Sequence, residues 1–374
     1  MTIQINWICS DAELKQHCEH WNTLAFIALD TEFIRVDTFY PIAGLLQVSD
    51  GESTYLIDPL LISDWQPLAT VFSNPQVVKV LHACSEDLEV FSLLTGALPV
   101  PLFDTQVAAG YLNLGFSMGY SRLVQQLLDI ELPKGETRSD WLQRPLSEMQ
   151  VLYAAQDTAY LVDVYQALVG QLSEKKLAWV LEDGAFLVAS YLQTPDPYEL
   201  WRSVKLAWKL SPKQLAVLRE LSAWRELQAR ERDVPRNRII RESTLWALAS
   251  ELPSDMAQLA PLEDMHPRIM RQEGATLLKI VKQARNLPEA DWPAALPEPL
   301  PIEASKVLKR LRKIGLALGL ELDIAPELML RKKILEELLR SGYPNGPYQL
   351  PASLQGWRRE LMGDALLQSL EDAQ

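Results

Sequence analysis

Four acidic residues and one tyrosine, drawn from three separated segments, are the residues of this chain best suited to chemistry. They are Asp30, Glu32, Asp87, Tyr153 and Asp157. Carboxylates are the ligands that hard divalent cations such as Mg²⁺ prefer, and pairs of such cations cleave phosphodiesters in many nucleases. The set therefore indicates a metal-dependent site that cleaves phosphodiester bonds.

Asp30 and Glu32 follow an apolar run, residues 24–29, which predicts a strand buried on both faces. Because they are two positions apart on a strand, their side chains point to the same side, where two like charges repel each other. A bound cation would remove this repulsion. The alternative is a pair of solvated acids in the loop after the strand, because acidic side chains are common at protein surfaces.

Asp87 follows a second predicted strand, residues 77–81, and falls in the first turn of a helix whose predicted N-cap is Ser85. The helix dipole alone favours acidic residues in a first turn. Taken by itself, the position of Asp87 is therefore compatible with a structural role as well as with metal binding.

Asp157 lies on a long helix that is predicted to begin after an N-cap at Ser147 and to end near Gly170. It falls on the apolar stripe of that helix, which comprises Met149, Tyr153, Tyr160, Leu161, Val164 and Leu168. A carboxylate on a core-facing stripe requires a partner, either an arginine or a metal ion. Tyr153, one turn earlier, either packs in the core or directs its hydroxyl toward water at the metal.

This pattern resembles the DEDD superfamily of 3′–5′ exonucleases, in which Asp-x-Glu, a second Asp and Tyr-x-x-x-Asp recur in this order. Tyrosine at position 153, with leucine at 152, resembles the tyrosine subgroup rather than the histidine subgroup. Further segments resemble the ribonuclease D family, and the resemblance covers essentially the whole chain. These segments are 29–33, 82–91, 103–109 and 139–146.

The resemblance implies an exoribonuclease that uses two Mg²⁺ or Mn²⁺ ions and releases 5′-mononucleotides. Asp30 is expected to bridge both ions, Glu32 and Asp157 to complete the ion that holds the attacking water, and Asp87 to serve the second ion. Tyr153 is expected to orient this water, because a phenol with a pKa of about 10 is a poor base at neutral pH. The implied substrates are RNAs with a single-stranded 3′ end, such as transfer RNA precursors and other small structured RNAs.

Two alternatives remain open. The first is the same reaction on single-stranded DNA, because no residue can be assigned to a 2′-hydroxyl contact. The second is a catalytically inactive scaffold that binds RNA, which the presence of all four acids and the tyrosine disfavours.

The order of predicted elements indicates an α/β catalytic domain over residues 1–200. Three strands with short connections, 23–30, 43–49 and 53–57, are expected to be antiparallel neighbours. Strands and helices then alternate, which fits a mixed sheet flanked by helices. The predicted elements here are helix 64–73, strand 77–82, helix 85–95 and strand 100–104. The DEDD resemblance implies the ribonuclease-H-like fold, which has this layout.

Beyond residue 200 the sequence predicts two related, small all-α modules, over residues 208–288 and 303–374, with a linker at 289–302. Five prolines between positions 288 and 301 predict the linker, because proline interrupts helices. A shift of 90 residues aligns the two modules, and it pairs Asp233-Val234 with Asp323-Ile324, Ile239–Arg241 with Met329–Arg331, and Leu245 and Leu248 with Leu335 and Leu338.

The segment Arg230–Arg241 of the first module resembles the HRDC domain. The resemblance implies an accessory nucleic-acid-binding role, with Arg236, Arg238 and Arg241 as candidate contacts. The second module has Pro326 and Leu328 in place of the first two arginines, so the two HRDC-like modules are not expected to bind alike. A solvated helix face is the alternative explanation of these charges.

The formal charge of −13 disfavours a simple nucleic-acid-binding protein, but the charge is unevenly distributed. Residues 1–200 contain 9 Lys and Arg against 26 Asp and Glu, whereas residues 201–374 contain 27 against 23. The second part is basic enough to hold phosphates, although its balance is also that of an ordinary surface. Three cysteines without paired spacing, no signal-peptide pattern and no membrane-length apolar stretch predict a cytoplasmic protein away from membranes. We expect a monomer.

Overall fold

The computed structural model describes residues 3–133, 135, 139–193 and 195–372. The chain forms two compact units. Unit 1 contains the chain up to Ile34, residues Ala43–Leu192 and the chain from Leu300 onward. Unit 2 contains Arg35–Ile42 and Gln193–Pro299.

The chain up to Leu192 contains strands and helices. The strands are β1 (Ile5–Ile8), β2 (Phe26–Ile34), β3 (Ile42–Ser49), β4 (Thr54–Ile57), β5 (Val78–Leu81) and β6 (Leu102–Asp104). The helices are α1 (Asp11–Trp21), α2 (Gln66–Ser73), α3 (Asp87–Thr95), α4 (Thr105–Tyr111), α5 (Tyr120–Leu128), α6 (Glu148–Gln171) and α7 (Glu174–Leu192).

Within the described residues, the strands form one sheet in the order β1-β4-β3-β2-β5-β6. β2 pairs in parallel with β5, β5 with β6 and β1 with β4, whereas β3 and β4 pair antiparallel. The predicted mixed sheet is therefore confirmed. β1 was not predicted from the sequence, because a four-residue strand that is only partly buried shows too little alternation of apolar and polar residues to be recognised. α1 was not predicted either.

β2 separates two cores, because its successive side chains point to opposite faces of the sheet. Ile27 and Leu29 pack in one core, together with residues of α1 and α2. Ala28 packs in the other core, which also contains Leu161 of α6. Asp30 and Glu32 continue the side of Ala28 along the strand and therefore point toward the α6 side.

α6 begins where the sequence predicted. Ser147 is its N-cap and forms a capping box with Gln150, and the helix ends at Gln171. The predicted stripe is buried at Leu161, Val164 and Leu168, but Met149 is 65% exposed and was assigned to it wrongly. Met149 lies in the first turn, beyond the reach of the core that the later turns contact.

The predicted N-cap at Ser85 is wrong, because α3 begins two residues later, at Asp87. Residues 83–86 form a turn in which Ala83 has a positive φ of 56°. The Asp104 carboxylate accepts hydrogen bonds from the backbone N–H groups of Ala83 and Cys84, at 3.0 and 3.3 Å. This carboxylate is distant in sequence. It accepts the backbone N–H groups of a turn that the local sequence pattern predicts to be helical.

The C-terminal part of unit 1 is helical and shares a core with the sheet domain. Its helices are α13 (Ala304–Glu321), α14 (Pro326–Met329), α15 (Lys332–Arg340) and α16 (Asp364–Glu371), with a π-helical turn at Arg359–Gly363. The backbone N–H of Ala325 donates to the carbonyl of Gly110 at 2.8 Å, and a Cβ at Gly110 would lie 2.5 Å from Leu328. The composition break at residues 289–302 therefore does not separate this module from the sheet domain.

Unit 2 contains α8 (Pro212–Glu231), α9 (Arg236–Ile239), α10 (Glu242–Glu251), α11 (Met256–Leu259) and α12 (Pro267–Arg285). Ser211 and Pro212 begin α8 as predicted, with a capping box to Gln214. The 90-residue shift recurs in the element bounds, because α14 occupies the positions of α9 plus 90. Residues 292–303 contain neither helix nor strand. In the described part of the chain, no helix is long and apolar enough to cross a membrane.

Candidate active site

Three of the predicted carboxylates meet beside β2. Asp30, Glu32 and Asp157 each place a carboxylate oxygen within 4.8 Å of the others. The strand brings Asp30 and Glu32 to one side, and α6, which packs against β2, brings Asp157 to the same place. The three side chains are partly buried, so they form a recessed cluster of oxygen ligands.

Asp87 lies next to this cluster, in the first turn of α3, but outside the group of three. The Thr31 hydroxyl donates a hydrogen bond to Oδ1 of Asp87. The negative charge of Asp87 raises the pKa of both Asp30 and Glu32, so the fourth carboxylate lies within electrostatic reach of the other three. Thr31 was not predicted from the sequence, because the segment Asp-Thr-Glu gives no sign of which side chain its middle residue contacts.

The electrostatics of the cluster fit a divalent cation. Burial raises the pKa of Asp30 well above its usual range, and the charges of Asp87, Asp157 and Glu32 raise it further. Burial and the neighbouring carboxylates raise the pKa of Glu32 to about 9, and burial raises the pKa of Asp157 to about 7. Among the described residues, each charged group that acts on Asp30 and Glu32 is another carboxylate. A cation would relieve this repulsion, and an all-oxygen donor set suits Mg²⁺ or Mn²⁺.

Tyr153 contacts the cluster from the preceding turn of α6. Its hydroxyl forms a hydrogen bond with the Asp157 carboxylate, and its ring lies 6.1 Å from the ring of Trp141. Burial raises the pKa of Tyr153 above its usual range, and Asp157, Glu32 and Asp30 raise it further. The phenol therefore remains neutral at physiological pH and can donate a hydrogen bond.

Residues 139–146 support this side of the site. Arg144 donates to both carboxylate oxygens of Asp58 at 2.6 and 2.7 Å, and to the carbonyl of Gly44 at 2.7 Å. Trp141 is buried against Gly44, where a Cβ would lie only 2.5 Å from the Trp141 Cβ. From the sequence alone, this segment indicated only a resemblance to the family. In the structure it fixes the indole against which Tyr153 packs.

A cavity of about 300 Å³ opens beside Asp30, Tyr153 and Asp157, and His82 and Tyr120 contribute to its walls. His82 contacts the Thr105 hydroxyl at 2.9 Å and the Met118 carbonyl at 3.1 Å, and burial lowers its pKa. It is therefore a neutral, packed residue. The Tyr120 hydroxyl donates to the carbonyl of Gln156 at 3.1 Å, directly before Asp157 in α6. Tyr120 was not predicted from the sequence, because no motif links it to the acidic residues.

The three predicted arginines of unit 2 are all engaged in ion pairs. Arg236 pairs with the buried Glu226, Arg238 pairs with Asp37, and Arg241 pairs with Asp264 at 3.1 Å. Arg238 and Arg241 also line a cavity of about 980 Å³ in unit 2, together with Arg232 and Arg268. Arg236 instead lies over the ring of Phe39, with its guanidinium carbon 4.8 Å from the ring centre.

Comparison with known proteins identifies the family. Residues 5–173 match a family model described as a 3′–5′ exonuclease, and residues 214–281 match the HRDC domain model. The ribonuclease D of Pseudomonas paraeruginosa is 62% identical over 370 residues, which cover 99% of this chain and 98% of that protein. The chain belongs to the ribonuclease D family. It is a metal-dependent 3′–5′ exoribonuclease, as the acidic motifs predicted.

More distant relatives support the same family assignment. Ribonuclease D of Escherichia coli is 37% identical, and the match covers 98% of this chain and 98% of that protein. The crystal structure of Escherichia coli RNase D, described as an exoribonuclease involved in structured RNA processing, matches 100% of this chain and 99% of its own. The TM-score of this match is 0.90, at 36% identity. The catalytic core of RRP6 from Trypanosoma brucei matches 76% of this chain and 80% of its own, with a TM-score of 0.55 and 27% identity.

Proposed function

We propose that this enzyme removes 5′-mononucleotides one at a time from single-stranded 3′ ends of RNA. We propose further that Asp30, Glu32, Asp87 and Asp157 hold two divalent ions, Mg²⁺ or Mn²⁺, during the reaction. The observation that supports this most directly is the cluster of three carboxylates within 4.8 Å of one another, with Asp87 beside them. When bound, such ions lower the pKa of the attacking water and stabilise the departing 3′ oxygen.

The charges around each carboxylate suggest which of the two proposed ions it would hold. Asp30 belongs to the group of three with Glu32 and Asp157, and it also lies within electrostatic reach of Asp87. We therefore propose that Asp30 would contribute ligand oxygens to both ions. Glu32 and Asp157 would hold the ion on the side of the attacking water, and Asp87 would hold the ion on the side of the leaving group.

Tyr153 is assigned to the orientation of the attacking water. Its raised pKa makes it an even poorer base than free tyrosine at pH 7. Its hydroxyl already contacts Asp157, so it lies next to the carboxylate on the proposed water side. From there a neutral phenol can accept or donate one hydrogen bond and fix the direction of attack.

The cavity beside the carboxylates is the proposed position of the 3′-terminal nucleotide. Its volume of about 300 Å³ is at the lower end of the range for small-molecule sites. The ring of Tyr120 and the side chains of Leu132 and Leu161 line it, and aromatic and apolar groups of this kind accept any base by stacking. This agrees with an enzyme that trims 3′ ends without reading their sequence.

Phosphate contacts further from the site are proposed for Arg238 and Arg241. Their side chains are 64% and 63% exposed, and each faces an exposed acid from which RNA phosphates could displace it. Arg236 was also a candidate contact. We now assign it a structural role, because its partner Glu226 is only 1% exposed and would be left with less charge compensation.

We propose transfer RNA precursors and other small structured RNAs as the substrates. The family resemblance supports this, as does the involvement of the Escherichia coli relative in structured RNA processing. We propose that the enzyme acts in the cytoplasm as a monomer. Cys9, Cys18 and Cys84 are free thiols, which suits a reducing compartment.

The test uses a 5′-labelled RNA with a duplex stem and a single-stranded 3′ tail, and a DNA of the same sequence. Wild-type enzyme with Mg²⁺ should give a ladder of one-nucleotide steps on RNA that stops near the stem. EDTA or Asp30→Asn should abolish the ladder. A stronger ladder on DNA would reassign the substrate, and RNA binding without any ladder would replace the exonuclease by a binding scaffold.

A further inference from the structure

The same aspartate turn occurs in both helical modules. Asp233 and Asp323, which are 90 residues apart, have positive φ angles of 46° and 50° at the end of the first long helix of each module. The next residue in each turn donates its N–H back to that helix, from Val234 at 3.0 Å and from Ile324 at 2.9 Å. The two turns therefore present an aspartate side chain in the same local conformation.

In unit 2, Asp233 holds the loop that follows β2. Its Oδ1 accepts the backbone N–H groups of Phe39 and Tyr40, at 2.9 and 3.0 Å. The guanidinium carbons of Arg236 and Arg230 lie 4.8 and 5.8 Å from the centre of the Phe39 ring. The module thus binds this loop through both its backbone and its aromatic side chain.

In unit 1, Asp323 holds a different loop of the exonuclease domain. Its Oδ1 accepts a hydrogen bond from Nδ2 of Asn113 at 2.9 Å, and its carbonyl accepts one from Nζ of Lys176 at 2.9 Å. Two residues later, the N–H of Ala325 donates to the carbonyl of Gly110 at 2.8 Å. The second module therefore uses the corresponding turn to hold the start of the loop between α4 and α5.

Both loops are connected directly to the catalytic site. The first loop begins at Arg35, only three residues after Glu32. The second loop ends at Met118, whose carbonyl contacts His82, and the chain then enters the helix that carries Tyr120. Each aspartate therefore restrains a loop, and a small displacement of that loop would also move the residues of the site to which it is joined.

We propose that Asp233 and Asp323 are positioning residues for the exonuclease reaction, and that each helical module uses its aspartate turn to hold one loop that continues along the chain into an element of the site. This inference rests on the proposed exoribonuclease activity. It assigns the two modules a function in catalysis that is separate from binding RNA, and it predicts that the two aspartates affect turnover more than substrate affinity.

Glycine and asparagine variants separate the carboxylate acceptor from the backbone conformation. Both residues tolerate a positive φ, so neither adds strain at position 233 or 323. Asp→Asn keeps an oxygen that accepts hydrogen bonds, whereas Asp→Gly removes it. In the full-length enzyme, we therefore compare Asp233→Gly with Asp233→Asn, and Asp323→Gly with Asp323→Asn.

Two readouts are needed, and the first is kinetic. With a short single-stranded RNA and saturating Mg²⁺, we expect each glycine variant to lower kcat about three- to tenfold, because small displacements of reacting groups are costly. KM should change by less than about twofold, since uniform binding is not affected. The asparagine variants should recover most of the wild-type kcat.

The second readout is amide hydrogen exchange in peptides that contain Phe39 and Tyr40, which requires no activity. Exchange there should be faster in Asp233→Gly than in wild type and close to wild type in Asp233→Asn. If the wild-type enzyme gave no ladder on RNA, the proposed function would fail, but the exchange result would still show whether Asp233 holds the loop.

The inference is overturned if exchange increases in the glycine variant while kcat remains at the wild-type value. It is also overturned if the glycine and asparagine variants lose kcat equally, because the hydrogen-bond acceptor would then be irrelevant. Should Asp323→Gly fail to fold, Asn113→Gly removes the same contact from the loop side, where the φ of 55° accommodates glycine. An unchanged kcat in Asn113→Gly would also contradict the proposal for the second module.

Discussion

The hydroxyl of Thr31 donates a hydrogen bond to the carboxylate of Asp87 and so joins β2 to the first turn of α3. This hydrogen bond lowers the pKa of Asp87, but burial outweighs it and raises the pKa to about 6. Thr31→Val keeps the shape of the side chain and removes the donor. We expect the Mg²⁺ concentration for half-maximal activity to rise about fivefold at pH 6.5, because Asp87 would keep its proton to higher pH.

The difference between Thr31→Val and wild type should narrow at pH 8, where Asp87 is ionised in both proteins. Thr31→Ser keeps the hydroxyl and serves as the matched control. A Thr31→Val enzyme with the wild-type Mg²⁺ titration at both pH values would show that the hydrogen bond has no influence on the metal ligand.

Asp30→Asn should have opposite effects on activity and on the stability of the metal-free protein. Activity should fall at least about 10³-fold, because a proposed metal ligand is removed. In EDTA, however, the melting temperature should rise by about 2–4 °C, because the folded protein no longer has to hold a buried carboxyl whose ionisation is disfavoured there but free in the unfolded chain. Glu19→Gln, which neutralises an exposed acid of α1, is the control for a change in net charge. An unchanged or lower melting temperature in EDTA would show that the cluster is not strained without a cation.

The stability of the metal-free enzyme should decrease as the pH rises toward neutrality. The pKa of Asp157 is raised to about 7, whereas an unfolded aspartate titrates at about 4. Between these values the folded state binds a proton that the unfolded state has released, so stability falls with pH. Because the pKa of Glu32 is raised to about 9, the decline should continue above pH 7 with a smaller slope once Asp157 has ionised. We expect thermal melts in EDTA from pH 5 to 8.5 to show this decline.

Two controls isolate the carboxylate cluster from the other titrating groups. Asp157→Asn should show a shallower decline in EDTA than wild type, because it lacks the residue that takes up the proton. Saturating Mg²⁺ should remove much of the wild-type decline, since the cation binds the deprotonated ligands. Parallel pH curves for wild type and Asp157→Asn would contradict the raised pKa.

Features that depend on neighbouring residues could be predicted from the sequence. The cap at Ser147, the start of α8 at Pro212 and the common side of Asp30 and Glu32 all follow from interactions within four residues. Features made by distant residues could not. Nothing near Ser85 shows that Asp104 satisfies the adjacent turn.

The packing of the C-terminal module against the sheet domain could not be predicted from the sequence for the same reason. Prolines at positions 288–301 indicate a break in composition, but they carry no information about what the following helices contact. Arg358 pairs with Asp183, and Trp357 stacks on Trp179 with the ring centres 4.8 Å apart. These partners are about 175 residues apart in sequence, beyond any local pattern.

Tyr153→Phe should separate orientation of the attacking water from metal binding. The substitution keeps the ring that packs near Trp141 and removes only the hydroxyl. We expect kcat at saturating Mg²⁺ to fall on the order of 10- to 100-fold, while at pH 9, where Asp157 is ionised in both proteins, the Mg²⁺ concentration for half-maximal activity stays near the wild-type value. Because the phenol is neutral throughout, the pH profiles of kcat for wild type and variant should have the same number of steps between pH 6 and 9. A profile that loses a step in the variant would instead indicate that Tyr153 acts as a base.

Arg236→Ala and Arg241→Ala should differ in which property they change, although they lie five residues apart. Arg236 compensates the buried Glu226, so its removal should lower the free energy of unfolding by about 1–2 kcal/mol. Arg241 faces the more exposed Asp264, so its removal should leave stability nearly unchanged.

If Arg241 contacts a phosphate, its removal should weaken RNA binding and reduce the slope of log affinity against log salt by about 0.7. Chemical denaturation and RNA titrations from 50 to 200 mM salt measure the two effects. Loss of the salt slope in Arg236→Ala, with no loss of stability, would reverse the two assignments and return Arg236 to the nucleic-acid surface.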